Sequence, residues 1–192
     1  MAATEIVDLD AIFEGDFTLQ KYSQLRFAVQ GNEANANALE ERVGTMEGEG
    51  PQESLKLGIA QLLLGRTQRA IALFKVAHPE SEIASIFLGK ANLDLDRPQE
   101  AKLAYREALV KHKDSRPIAY GVVFATLRLG DYEESLEILD RAEERFGADV
   151  ETRFLRGFHS ELLGDYAVAR EAYEEVIEKI PQHPHALFRL AH

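Results

Sequence analysis

The chain has no cysteine, which removes disulfide frameworks, thiolate metal sites and a cysteine nucleophile together. Bases are scarce beside acids: 22 Lys and Arg stand against 33 Asp and Glu, a formal net charge of −11 at pH 7. A field of that sign repels phosphate backbones and anionic lipid surfaces, so neither a nucleic acid nor a membrane is an expected partner. No apolar run approaches the roughly 18 residues of a membrane span. The opening MAATEIVDLD lacks the basic start and apolar stretch of a secretory signal. A cytoplasmic protein is therefore expected.

Motifs of catalysis are missing as well. There is no G-x-x-x-x-G-K-[ST] loop, no G-x-S-x-G elbow and no H-E-x-x-H helix. Asp8-Leu9-Asp10 and Asp94-Leu95-Asp96 begin like calcium loops but lack the next acidic ligand and the glycine. Glu133–Glu134 and Glu174–Glu175 are sequence neighbours, and adjacent helix residues do not converge on one point, so they read as solvated charge. His183 and His185, with His192 nearby, have no acidic or thiolate companion. They read as loop histidines beside Pro181 and Pro184 rather than as metal ligands. No catalytic residue, cofactor or metal is expected.

What is present is a foldable composition: 192 residues, 45% hydrophobic and 29% charged, enough for one packed domain. The charge is uneven, with ten acids against three bases in residues 1–50 and near balance after that. Residues 1–16 form an acidic N-terminal segment in which acids alternate with Ile6, Val7, Leu9, Ile12 and Phe13. One reading is a frayed tail; the other is a short docking segment that seats its apolar residues in a groove of this chain or another.

An internal period organises the rest. LGRTQRAIALFKVA has relatives in LDRPQEAKLAYREA, LGDYEESLEILDRA and LGDYAVAREAYEEV. Aligned, Gly65, Asp96, Gly130 and Gly164 mark one turn, at separations of 31, 34 and 34 residues. Each unit reads as two helices around that turn. In the second helix Ala70, Leu73, Phe74 and Ala77 recur at i, i+3, i+4 and i+7. The glycines suit a left-handed turn residue, and Asp131 and Asp165 are placed to cap the helix that follows. Pro98 fits a helix start. Small residues such as Gly58, Gly89, Ala101 and Ala169 let neighbouring backbones approach closely.

The pattern resembles the tetratricopeptide repeat family, W-x2-L-G-x2-Y followed by A-x3-F and P. The first half appears as Ser54, Leu57, Gly58, Gln61 and as Ser85, Leu88, Gly89, Asn92. The second appears as Ala70–Phe74, Ala101–Tyr105, Ser135–Leu139 and Ala169–Tyr173, with the closing proline only at Pro181. Four repeats are expected within 51–183, at 51–81, 82–115, 116–149 and 150–183. A degenerate hairpin over 17–50 precedes them, with helices Thr18–Gln30 and Glu33–Thr45, and 47–52 is a turn-rich break. Residues 184–192 form a partial repeat or cap helix. The large aromatics of the family's first helix are replaced by Ser54, Ser85, Ala119 and Arg153, and Arg156 takes a leucine site, so looser packing between first helices is expected.

The resemblance implies an all-α, right-handed α-solenoid whose first helices line the concave side. On those helices a stripe distinct from the hairpin seam is largely apolar. The candidate partner groove is Leu55, Ile59, Ile86, Phe87, Lys90, Tyr120, Phe124, Arg128, Phe154 and Phe158. Its apolar members would hold a peptide or helix, with Lys90 and Arg128 orienting it. Some relatives clamp a chain-terminal carboxylate with Lys, Asn and Arg at positions that here are Leu55, Ile59, Ile86, Phe87 and Tyr120, so that clamp is not expected. The implied function is a non-catalytic interaction scaffold with a protein or peptide partner. The alternatives are a regulatory portion of a larger enzyme, a self-assembling homo-oligomeric module, or a chaperone-like adaptor.

Overall fold

The computed structural model describes residues 17–191, and over them the protein is all-α, with eleven helices. The acidic segment 1–16 and its two readings lie outside the described residues. In chain order the helices are α1 (Leu19–Gln30), α2 (Glu33–Gly44), α3 (Gly50–Leu63), α4 (Thr67–Ala77), α5 (Glu82–Asp94), α6 (Pro98–Lys111), α7 (Arg116–Arg128), α8 (Tyr132–Phe146), α9 (Val150–Leu162), α10 (Tyr166–Lys179) and α11 (Pro184–Leu190). The described residues form two compact units, one up to Arg97 and the other from Pro98. The division falls inside the repeat expected over 82–115. Each unit is a short solenoid of helical hairpins. In the first, α1 packs on α2 and α3, α3 on α4, and α4 on α5; in the second, α7 packs on α6, α8 and α9, and α10 on α9 and α11.

Local chemistry starts most of the helices. The side chains of Thr18, Asn32, Ser81, Ser115 and Asp165 accept from backbone amides in the first turns of α1, α2, α5, α7 and α10. Each satisfies a donor that the helix cannot. Asp149 and Thr152 form a reciprocal capping box at α9. α3 begins at Gly50–Pro51, within the expected break, because proline has no amide to lose in a first turn. Asp131, expected to cap α8, makes no cap bond. Its carboxylate instead accepts from Lys102 Nζ at 3.2 Å, and Glu134 accepts from the same ammonium at 2.5 Å.

The four aligned turn residues adopt one geometry. Gly65, Gly130 and Gly164 have φ of 74°, 81° and 83°, and Asp96 is a non-glycine at 56°. At each, the turn residue donates to the carbonyl three back, and the next residue to the carbonyl five back: Gly65 to Leu62 and Arg66 to Gln61, and likewise Asp96 to Leu93 and Arg97 to Asn92. This double closure satisfies the helix's last carbonyls and sends the chain back antiparallel.

The hairpins close on glycine. A Cβ on Gly58 would lie 2.6 Å from the Phe74 ring, and one on Gly157 2.9 Å from Tyr173 and Ala172. Phe74 is fully buried in the first unit, as Phe158, Leu139 and Leu155 are in the second. Two substitutions separate backbone strain from overpacking. Gly130→Ala meets nothing within 4 Å, so only the left-handed backbone opposes it, and urea unfolding should show a loss of about 1–2 kcal/mol. Gly58→Ala adds a methyl where the Phe74 ring stands, and its expected loss of about 1–3 kcal/mol should come with displaced Phe74 ring resonances in NMR spectra.

Candidate partner-binding surface

The ten expected groove residues fall on first helices of both units, and each set has its own geometry. In the first unit, α3 carries Leu55 and Ile59, and α5 carries Ile86, Phe87 and Lys90. Ile59 and Phe87 are fully sealed and Ile86 is buried, while Leu55 and Lys90 are half-buried. The Phe87 ring is enclosed by three others. It stacks on Phe74 of α4 at 5.7 Å and 22°, meets Tyr22 of α1 edge-on at 5.0 Å, and faces Phe17 at 6.1 Å.

In the second unit, α7 carries Tyr120, Phe124 and Arg128, and α9 carries Phe154 and Phe158. Tyr120, Phe154 and Phe158 are buried, Phe124 is half-buried, and Arg128 is exposed. Phe124 stacks on Phe158 at 5.3 Å and 19°, and Phe158 runs nearly parallel to Phe154 at 6.4 Å. Phe154 also touches Tyr173 and His183. The Arg189 guanidinium from α11 sits 4.6 Å from the Phe158 centroid, a cation over the negative face of a ring. The Tyr120 hydroxyl donates to Asp149 at 2.9 Å. Burial, and then that bond to a carboxylate, push its pKa upward.

The expected stripe is thus mainly interior. Ile59, Ile86, Phe87, Tyr120, Phe154 and Phe158 fill seams between helices, because each hairpin of a solenoid must bury a face against its neighbour. What a partner can reach is Leu55 and Lys90 in one unit, and Phe124 and Arg128 in the other. Reading the sequence missed other apolar surface. Phe27 on α1 is 85% exposed, and Leu163 and Tyr166 are each more than half exposed. Phe188, which the stripe in register with Phe154 does include, is more than half exposed. Phe27 carried no signal, because nothing in α1 marks which face packs.

At the two arginine positions the side chains pair with carboxylates of second helices. Arg153 pairs with Glu175 of α10. Arg156 reaches back to α8, donating to Asp140 at 2.7 Å and pairing with Glu143, so charge-assisted bonds occupy the leucine site. The hydrogen bond from Arg156 holds the Glu143 carboxyl below the usual range against a smaller opposing effect of burial. A carboxyl lowered in the folded state adds stability above its unfolded value of about 4.3 and loses it as pH falls through the lowered one. Urea midpoints followed in acid, below about pH 4.3, should fall more steeply for the native chain than for Arg156→Leu. Equal slopes would remove this pair as the cause.

An open cleft of about 600 Å³ at α2 and α3 is rimmed by Glu41, Arg42, Glu53 and Lys56, and none of the ten residues lines it. Among the described residues no group of three or more His, Asp or Glu could hold a metal ion. No described helix is long and apolar enough to cross a membrane.

Residues 87–150, 125–184 and 162–191 match the profile of the tetratricopeptide repeat, which together is more than half the chain. Solved structures similar in fold include a thermophilic tetratricopeptide repeat protein from Thermus thermophilus, at TM-score 0.67 and 19% identity over 90% of this chain and 95% of that one. A tetratricopeptide repeat protein from Parabacteroides merdae matches at 0.63 and 17%, over 90% and 72%. MamA from residue 41 to its end, from Desulfovibrio magneticus, matches at 0.59 and 19%, over 93% and 99%. Among curated proteins no match is found.

Proposed function

This chain belongs to the tetratricopeptide repeat family, and from that premise we propose that it is a non-catalytic scaffold that binds a protein partner through its first helices. The repeat boundaries at 51–81, 82–115, 116–149 and 150–183, behind a degenerate hairpin over 17–50, belong to the same proposal. So does a cytoplasmic setting. A net charge of −11 favours proteins over nucleic acids as partners.

One observation carries this reading. In the second unit a half-open ring, Phe124, rests on the buried Phe158, and the exposed Arg128 follows one helical turn along the same face. A ring backed by a packed ring makes a rigid apolar anchor, and a cation beside it gives direction. The segment that fits is a short helix or extended peptide with an apolar residue for Phe124 and a carboxylate for Arg128. Ile59, Ile86, Phe87, Tyr120, Phe154 and Phe158 contribute by holding the helices in place.

Affinity capture with the native chain would supply the partner, and calorimetry would then measure it against Phe124→Ser and Arg128→Glu. Each variant should weaken binding about tenfold or more, the scale of interface hot-spot residues, with circular dichroism unchanged. Native affinity in both folded variants would overturn the assignment.

A further inference from the structure

Carboxylates claim most arginines of this acidic chain. Arg106, Arg116, Arg145, Arg153, Arg156 and Arg189 each pair with at least one. In the first unit Arg66 pairs with Glu40 of α2, and Arg26 bonds Gln30 within its own helix. Arg69 and Arg97 stand apart from this pattern. Among the described residues Arg69 meets no carboxylate, and Arg97 meets only the side-chain oxygen of Gln68, at 3.1 Å. Both arginines are exposed.

The fold brings these two cations to one place. Gln68 and Arg97 are 29 residues apart in the chain, on successive hairpin turns, and Gln68 is the neighbour of Arg69. The place is an open cleft of about 540 Å³, lined by Gly65, Arg66, Thr67, Gln68, Arg69 and Leu95. Arg97 stands at its rim through Gln68. Asp94 and Asp96 flank Leu95 in sequence, and neither pairs with Arg69 or Arg97. A cleft of this size lies within the usual range for small ligands, about 300–1,000 Å³.

Two uncompensated guanidinium groups call for a ligand carrying about two negative charges. A phosphate monoester carries about −1.5 to −2 at pH 7 and offers three acceptor oxygens. Planar guanidinium forks engage such oxygens in pairs. A single carboxylate brings half the charge and would leave one cation unmatched. We propose that this cleft binds a phosphate monoester dianion, held by Arg69 and Arg97, with Thr67 as a further donor and Leu95 facing the carrier. Gln68 is the positioning residue, because it fixes the Arg97 guanidinium. This site lies outside the ten groove residues and does not depend on the Phe124 margin. The net charge of −11 disfavours a long polyanion, but exposed charges beyond about 8 Å are screened at physiological ionic strength. At contact distance the two arginines decide.

The test is an NMR titration of the full chain at 0.15 M ionic strength, read from the arginine Nε resonances. The probes are inorganic phosphate, a five-residue peptide of alanines around one phosphoserine, and the same peptide with glutamate in that place. The phosphopeptide should bind at least ~10-fold more tightly than its glutamate twin. Arg69→Gln and Arg97→Gln should each weaken it about tenfold, the scale of one hydrogen bond to a charged group. Circular dichroism should be unchanged in both, since both side chains are exposed. Inorganic phosphate binding as tightly as the phosphopeptide would assign the cleft to small phosphorylated molecules, and tighter phosphopeptide binding to a phosphorylated protein. No saturable shift with either phosphate probe, equal binding of the glutamate twin, or native affinity in both folded variants would overturn the proposal.

Discussion

The fold depends on how closely two helices of one hairpin can come together. Gly58 faces the Phe74 ring, and Gly157 faces the Tyr173 ring, at distances that leave no space for a β-carbon. That contact sets the hairpin's thickness, and the thickness sets where the next first helix can lie. Within the second unit the rings of α7 and α9 share one seam, with Phe124 on Phe158 and Phe158 beside Phe154. A looser seam would leave apolar surface with no neighbour to cover it.

The aromatic residues of the first helices therefore serve packing before recognition. Phe154 is enclosed by Tyr173 and His183 as well as Phe158, and Tyr120 spends its hydroxyl on Asp149. The surface left for contact is a margin of that core, where Phe124 is half-covered and Arg128 projects. If the proposed function holds, a margin whose inner edge is packed has little freedom to lose, which lowers the ordering cost of binding.

Much of the architecture is legible in the residues. The marker at Gly65, Asp96, Gly130 and Gly164 shows in the alignment, and all four positions have positive φ. Asp96 shows that shared position is a stronger clue than residue type, since aspartate tolerates this conformation too. The proposed contact face is less legible. A stripe at i, i+3, i+4 and i+7 says that one side of a helix is buried and is silent about what buries it. Phe87 and Phe158 were readable as apolar positions on a common face, some of which neighbouring repeats would cover; which of them would be sealed was not. Asp131 and Arg156 mislead for a related reason. A cap signal and a leucine site are local, whereas Lys102 and Glu143, which claim those side chains, arrive from other helices. The contact of Tyr22 with Phe87 is further still, 65 residues along the chain, and no periodicity within either helix encodes it.

The ring seam of the second unit ties one hairpin to the next rather than one helix to its own partner. Phe124 on α7 depends on Phe158 on α9, and Phe158 lies under Arg189 of α11. Where coupling between neighbours outweighs what each contributes alone, a linear array behaves as a single block. Its hairpins gain or lose order together instead of peeling one at a time from an end, so partial melting is suppressed and the margin at Phe124 keeps its shape for as long as the block survives.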